Sequence, residues 1–273
     1  MASWGMSTTG TLHRPPRRPG LILGLLVLSQ VGVACLWWRF GWQVGLPVMV
    51  ATHLMVVAAT LHPRATLFCP ALARLPTTER VVWLTIDDGP DPDVTPRVLD
   101  LLDAAGAQAS FFCIGWRARA HPALCREIVA RGHRVENHGD SHSNAFSLFG
   151  PRRMRTDVAA AQATLSDITG QAPLFFRPTA GLRNPFLEPV LAGLDLQLAA
   201  WTRRPYDTRD GRPQQVLQRL TRGLGPGDIL LMHDGHAALT PDGQPVILAT
   251  LPLLLDRLKA ESLRAVTLQQ ALA

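Results

Sequence analysis

Two adjacent carboxylates stand at the end of an apolar stretch, where Val81-Val82-Trp83-Leu84-Thr85-Ile86 runs directly into Asp87-Asp88-Gly89-Pro90-Asp91-Pro92. The apolar run reads as a buried strand, and the Gly-Pro and Asp-Pro pairs after it read as turns. Two acids side by side with no base between them repel one another and raise at least one pKa. A metal on one and a proton-transfer task for the other would relieve that repulsion; a merely acidic turn would need neither. Further along, His138-Gly139-Asp140-Ser141-His142 carries two imidazoles four residues apart. On a helix that spacing puts both on one face, as in zinc proteases, but those need Glu directly after the first His and here Gly139 stands there. Joined to Asp88, the pair makes a two-histidine, one-carboxylate set with positions left for water, the pattern of a catalytic rather than a structural metal site.

Strands are expected at Val81–Ile86, Ala109–Ile114, Arg134–Glu136, Leu174–Phe176, Gln197–Trp201, Asp228–Met232 and Arg264–Thr267. Helical patterns lie between them at Thr95–Ala105, Pro122–Arg131, Arg152–Ile168, Pro185–Gly193, Pro213–Gly223 and Val246–Ala260. Such alternation with short links means a parallel sheet covered by helices. The ionisable residues follow the strands: Asp87 and Asp88 end one, His138 and His142 follow another, then Arg177, Asp207 past Trp201, and His233-Asp234. A (β/α) barrel assembles its site in this way from several C-terminal strand ends, whereas an open doubly wound sheet usually offers a glycine-rich phosphate loop. No such loop follows the first strand. The expected fold is therefore α/β, a distorted TIM-like (β/α) barrel of about seven strands.

From Val81 to Ala273 the ordered set of short segments resembles the polysaccharide deacetylase family, carbohydrate esterase family 4, which includes chitin, chitooligosaccharide and peptidoglycan N-deacetylases. Thr85-Ile86-Asp87-Asp88-Gly89-Pro90 matches the family's first motif, which implies Asp87 as catalytic base and Asp88 as metal ligand. Asn137-His138 through His142 matches the second and implies two imidazole ligands; Phe176-Arg177-Pro178 matches the third, where Arg177 would hold the base carboxylate. Asp207 stands at the fourth motif's aspartate, and Leu230-Leu231-Met232-His233-Asp234 matches the fifth, with His233 as general acid. The implied cofactor is a divalent metal, zinc first, with Co2+, Ni2+ or Mn2+ as alternatives. A metal acidifies water and polarises an amide carbonyl, and an amine leaving group needs a proton, so these roles are chemically consistent. A carboxylate at Asp207 would keep His233 charged near neutrality.

Two motifs depart from the family. After Arg177-Pro178 the family usually continues Pro-Tyr-Gly, and here Thr179-Ala180-Gly181 stands; the backbone N–H of Ala180 can still serve as oxyanion donor, but an aromatic wall is lost. Asp207 is followed by Thr208 where tryptophan is usual, and Arg203, Arg204 and Arg209 crowd the segment. Guanidinium pairs bidentately with phosphate, so a phosphate-bearing acceptor suits this groove; alternatively Asp207 and Asp210 neutralise the arginines as a solvated cluster.

The formal charge of +6 is confined to one end. Arg14, Arg17, Arg18, Arg39, Arg64 and Arg74 all precede the first acid, Glu79, and the remaining charges balance at 21 against 21 (27 basic residues less these 6). That distribution gives no reason to expect a nucleic-acid partner. Four scattered cysteines, Cys35, Cys69, Cys113 and Cys125, read as reduced and structural. Residues 1–20 read as a disordered basic tail. Leu21–Trp38 and Gly41–Leu61 are free of formal charge, and the first is about 27 Å long as a helix. Trp37, Trp38 and Trp42 lie at the turn between them, where indoles anchor a membrane hairpin at headgroup level. A signal peptide or a single span are the competing readings. The expected organisation is a tail (1–20), a transmembrane hairpin (21–61), a linker (62–78) and a catalytic domain (79–273). Three arginines before the first run against Arg39 between the runs place both ends in the cytoplasm, hence a two-span inner-membrane protein with a cytoplasmic catalytic domain.

The expected function is removal of an N-acyl group, acetyl first, from an amino sugar. A polyprenyl-phosphate-linked sugar is the favoured substrate, since the family includes a deformylase of such a lipid-linked aminosugar. The alternatives are an outward-facing cell-wall or exopolysaccharide N-deacetylase and an inactive glycan-binding relative. Retention of Asp87, Asp88, His138, His142 and His233 together speaks against the last.

Overall fold

In the computed structural model, which describes residues 5–6, 12–13, 20–62, 65 and 67–271, eight strands form one parallel sheet. They are β1 (Ala71–Leu72), β2 (Val81–Asp87), β3 (Ser110–Cys113), β4 (Arg134–Asn137), β5 (Phe175–Phe176), β6 (Gln197–Ala199), β7 (Ile229–His233) and β8 (Arg264–Val266). Their order is β8-β2-β3-β4-β5-β6-β1, with β7 on the other edge of β2. The sheet curls round on itself: the N–H groups of Thr202 and Arg203, just past β6, donate to Ile229 O at 2.9 and 3.1 Å, and Leu75 N donates to Gly227 O at 2.8 Å. All seven expected strands are present. The additional strand, β1, pairs with β6 and falls inside the stretch read as linker, so part of that linker belongs to the barrel.

Strand parity sorts the core. In β2, Val82, Leu84 and Ile86 pack outward on the helices, while Val81 and Trp83 fill the barrel with Phe112, Phe175 and Ile229. Trp83 is fully buried, and its indole N–H donates to Ser110 Oγ at 2.8 Å. Thr85 and Asp87 continue the inward series, which carries the first of the paired acids into the barrel mouth.

The helices that cover this sheet are α3 (Thr95–Ala104), α4 (Gly115–Ala120), α5 (Pro122–Ala130), α6 (Pro151–Thr169), α7 (Leu187–Ala192), α8 (Pro213–Thr221), α9 (Val246–Ala260) and α10 (Leu268–Ala271), preceded by two helices ahead of the barrel. Several open with proline, whose missing N–H is harmless in a first turn. Gly170 ends α6 in the left-handed conformation, φ 70°.

Ahead of the barrel, α1 (Leu21–Phe40) and α2 (Trp42–Leu61) form a helical hairpin turning at Gly41. Gly45 permits close packing, because a Cβ there would lie 2.6 Å from Trp37 Cβ. Both helices are long and apolar enough to cross a membrane, with mean hydropathies of 2.1 and 1.9, and most of their apolar surface is exposed. Most of the basic tail, with Arg14, Arg17 and Arg18, lies outside the described residues, as does Arg64.

Candidate active site

The two adjacent acids diverge because only one belongs to the strand. Asp87 points into the barrel, where Arg177 Nη1 donates to its Oδ1 at 2.6 Å and to Thr85 Oγ1 at 2.9 Å. Arg177 Nη2 donates to Ala200 O at 2.9 Å, and the fully buried guanidinium lies 4.1 Å from the centre of the Phe112 ring. Burial lowers the pKa of Arg177, and the Asp87 and Glu136 charges oppose that fall. Glu136 lies deeper on β4; burial pushes its carboxyl up to about 7, although Oε2 accepts the N–H groups of Leu174 and Phe175.

Asp88 lies just past the strand at φ 76°, a conformation that costs a non-glycine residue roughly 1–3 kcal/mol. It faces the loop after β4. The histidines of that loop are not on a helix, contrary to the one-face geometry their spacing suggests: Gly139 (φ 79°) and His142 (φ 48°) bend the chain so that both rings return to one carboxylate oxygen. Asn137 and Asp157 hold the bend, the first accepting Gly139 N–H and the second those of Asp140 and Ser141. His138 Nε2 and His142 Nε2 lie 3.0 and 2.9 Å from Asp88 Oδ1.

The donor set of Asp88, His138 and His142 fits a divalent metal. One ligand atom from each lies within 4.8 Å of the others. His138 Nδ1 is 2.6 Å from Arg177 O and must donate to it, so a neutral ring presents the Nε2 lone pair towards a carboxylate oxygen. Lone pair against lone pair is tolerable only with a proton or a cation between them. Burial works to raise the Asp88 pKa, but hydrogen bonds from His138, His142 and His236 overcome it and hold the carboxyl far below the usual range.

His236 is the residue that motif reading missed. Its Nδ1 lies 3.0 Å from Asp88 Oδ2, and its ring stacks on His142 at 5.5 Å and 17°. The only sequence signal was a further histidine shortly after His233. Gly235 makes the approach possible, because a Cβ there would sit 2.1 Å from Asp88 O. Asp234, also unassigned, is buried behind this pair; burial pushes its carboxyl up to about 7 while the Thr95 hydroxyl donates to it.

His233 ends β7, beside Asp87 in register. Its Nδ1 lies 2.7 Å from Asp207 Oδ1, and its backbone N–H donates to Asp207 Oδ2 at 2.8 Å. Burial alone would lower the imidazole pKa, but the charge and hydrogen bond of Asp207, with the charges of Asp88 and Asp87, raise it to about 9. Asp207 is fully buried.

These groups share one cleft of about 290 Å³, with Ala180 on one wall and Trp201, Arg204 and Arg209 on another. Ala180 sits in a single turn at φ 55°. Of the three crowded arginines, Arg203 is committed to Asp228 (3.0 Å) and does not line the cleft. Arg204 lies between the faces of Trp201 and Tyr206, at 5.2 and 5.1 Å. Asp210 pairs with Arg212 and Arg219. Neither Asp207 nor Asp210 therefore neutralises Arg204 or Arg209 as a solvated cluster would.

With this geometry, residues 74–199 match the family model described as polysaccharide deacetylase. A peptidoglycan-N-acetylglucosamine deacetylase of Bacillus cereus is 32% identical over 200 residues, 72% of this chain and 91% of the relative. The chain belongs to the polysaccharide deacetylase family. A chitooligosaccharide deacetylase of Azorhizobium caulinodans is 30% identical over 164 residues, covering 60% and 78% of the two chains. The structure of a family 4 carbohydrate esterase from Streptomyces lividans with acetate superposes at TM-score 0.62, 29% identical, over 69% of this chain and 93% of that one. As a polysaccharide deacetylase, the protein is a hydrolase of carbon–nitrogen bonds other than peptide bonds.

Proposed function

We propose that this deacetylase removes an N-acyl group, acetyl first, from an amino sugar carried on a polyprenyl phosphate. The observation behind the chemistry is that a clamped carboxylate and a charged histidine flank one metal-type triad in a single cleft. Asp88, His138 and His142 would hold the ion, zinc first, which would polarise the acyl carbonyl and acidify a nearby water. Asp87, with Oδ1 on Arg177, keeps Oδ2 to accept the proton of the attacking water. The Ala180 backbone N–H is the donor for the developing oxyanion. His233, charged against Asp207, delivers a proton to the departing amine nitrogen, so a free amine and a carboxylic acid leave.

The substrate class rests on the cleft wall, where Arg204 and Arg209 present positive charge to a sugar phosphate. It also rests on the hairpin, proposed as two membrane spans with both ends of the chain in the cytoplasm of an inner-membrane protein. The second reading, an outward-facing cell-wall or exopolysaccharide N-deacetylase, is favoured by the substrates named for the relatives.

Amine release from N-acetylglucosamine substrates in three forms, polyprenyl-phosphate-linked, chitooligosaccharide and peptidoglycan, separates the readings. Highest kcat/KM on the lipid-linked form is expected; equal or better turnover of polymer would favour the second. Alkaline phosphatase fused after Ala273 reads the side of the membrane. A silent fusion is expected, and an active one would place the domain outside.

A further inference from the structure

The loop after His142 leaves the cleft and exposes one apolar side chain shortly before a run of exposed arginines. Phe146 and Phe149 are buried, while Leu148 between them is 83% exposed. Helix α6 then opens at Pro151 with Arg152, Arg153 and Arg155 exposed and no acid in its first turn. Three arginines are misplaced there as far as the helix is concerned, because the dipole favours acids at an N-terminus. Asp157, the next acid along α6, is taken up by the N–H groups of Asp140 and Ser141. Arg153 is held over the ring of Phe149, the residue next to Leu148, at 3.9 Å.

Hydrogen bonds fix where this patch lies. Asn184 Nδ2 donates to Ser147 O at 3.0 Å and Phe149 O at 2.9 Å. The preceding residue, Arg183, donates to His62 O at 3.3 Å and to Ala65 O, and His62 caps the C-terminal end of α2. One residue's step therefore separates the groups that hold Leu148 from those that hold the end of the second apolar helix.

We propose that Leu148, with Arg152, Arg153 and Arg155, is a docking surface for anionic phospholipid headgroups, seating the cleft mouth on the leaflet where α2 emerges. The inference rests on the hairpin being membrane-embedded. Leu148 enters the boundary between headgroups and acyl chains, while the arginines keep their charge at the phosphates. A lipid-linked substrate then reaches the cleft by lateral diffusion.

The test uses full-length protein in nanodiscs, in a Cys35→Ser background, with a polarity-sensitive fluorophore on Leu148→Cys, Leu54→Cys or Lys259→Cys. Leu54 is exposed within α2, and Lys259 is exposed on α9, just before β8 enters the barrel. Spin-labelled lipids quench whichever probe meets the bilayer. The expected result is a blue shift and headgroup-level quenching at Leu148, stronger with phosphatidylglycerol than with phosphatidylcholine alone. The combined Arg152→Glu, Arg153→Glu and Arg155→Glu changes abolish that gain, and the Lys259 probe stays unquenched. Quenching at Leu54 with a Leu148 signal like that of Lys259 overturns the docking surface and leaves the hairpin standing. Absence of quenching at Leu54 overturns the hairpin, and this inference with it. Leu148 quenching indifferent to lipid charge and to the three arginine substitutions overturns the assignment to anionic lipid.

Discussion

The floor of the cleft and its rim differ in how firmly their side chains are held. On the floor, Asp87 and His233 end neighbouring strands in register; Arg177 ties Asp87 to Thr85 and to Ala200 O through buried hydrogen bonds, and Asp207 holds His233 by two. On the rim, Arg204, Tyr206 and Arg209 stand on the segment after Trp201; Tyr206 is half exposed, and Arg204 rests on ring faces. A floor organised by the sheet fixes the reaction, and a rim organised by loose stacking can change substrate without disturbing it. The departures from the family pattern at Ala180, Thr208, Arg204 and Arg209 all fall on the cleft walls.

The sharpest break of that contrast is on the floor. Asp87→Asn should keep bound metal and lose about 10²–10⁴-fold in turnover, the range for one general acid–base group. Asp88→Ala and His142→Ala should lose metal and activity together, since each removes one of the three proposed ligands. Metal content measured beside turnover separates the two classes, and parallel loss at Asp87 would move that residue into the ligand set.

His233 comes next. Activity should fall as pH rises through about 9, where its imidazolium is lost, and Asp207→Asn should move that limb down towards the ordinary histidine value of about 6.5. The folded pKa is raised, so the His233–Asp207 pair contributes stability fully below about 6.5 and loses it as pH rises through about 9. Denaturant midpoints of wild type and Asp207→Asn should accordingly differ most at pH 6 and converge by pH 10. An unchanged limb in the variant would remove His233 as the acid.

Smaller effects are expected around Asp88. His236→Gln releases Oδ2 of the carboxylate, and Gly235→Ala forces a Cβ against Asp88 O, so each should weaken metal affinity by about 10–100-fold, readable by competition with a chromogenic chelator. The smallest belong to the rim. Arg204→Ala or Arg209→Ala should raise KM for a phosphate-bearing substrate up to about fivefold each, as exposed charges do, with kcat unchanged and no effect on a neutral oligosaccharide. A fall in kcat on both substrates would erase the distinction between floor and rim.

The floor was legible in the sequence because β2 is a long buried run that ends on its acids, and because β4, β5, β6 and β7 each lead to a further ionisable residue, His138, Arg177, Asp207 and His233. Strand β1 was not legible: two residues, Ala71 and Leu72, show no alternation and gain their identity only by pairing with β6. The left-handed bend that brings His142 back to Asp88 is likewise tertiary, fixed by Asn137 and by Asp157 of α6. His236 meets a carboxylate 148 positions away, and the commitment of Arg203 to Asp228 spans 25, distances over which spacing carries no signal.

The central claim, hydrolysis at a site formed by Asp88, His138 and His142 with Asp87 as base, is tested most directly by stripping the full-length protein of metal and titrating Zn2+ back while following amine release from an N-acetylglucosamine substrate. Activity should disappear on stripping and return in proportion to zinc up to one equivalent per chain, while Asp87→Asn binds the same equivalent and stays inactive. Full amine release from the stripped protein, or recovery in Asp87→Asn equal to wild type, would contradict it.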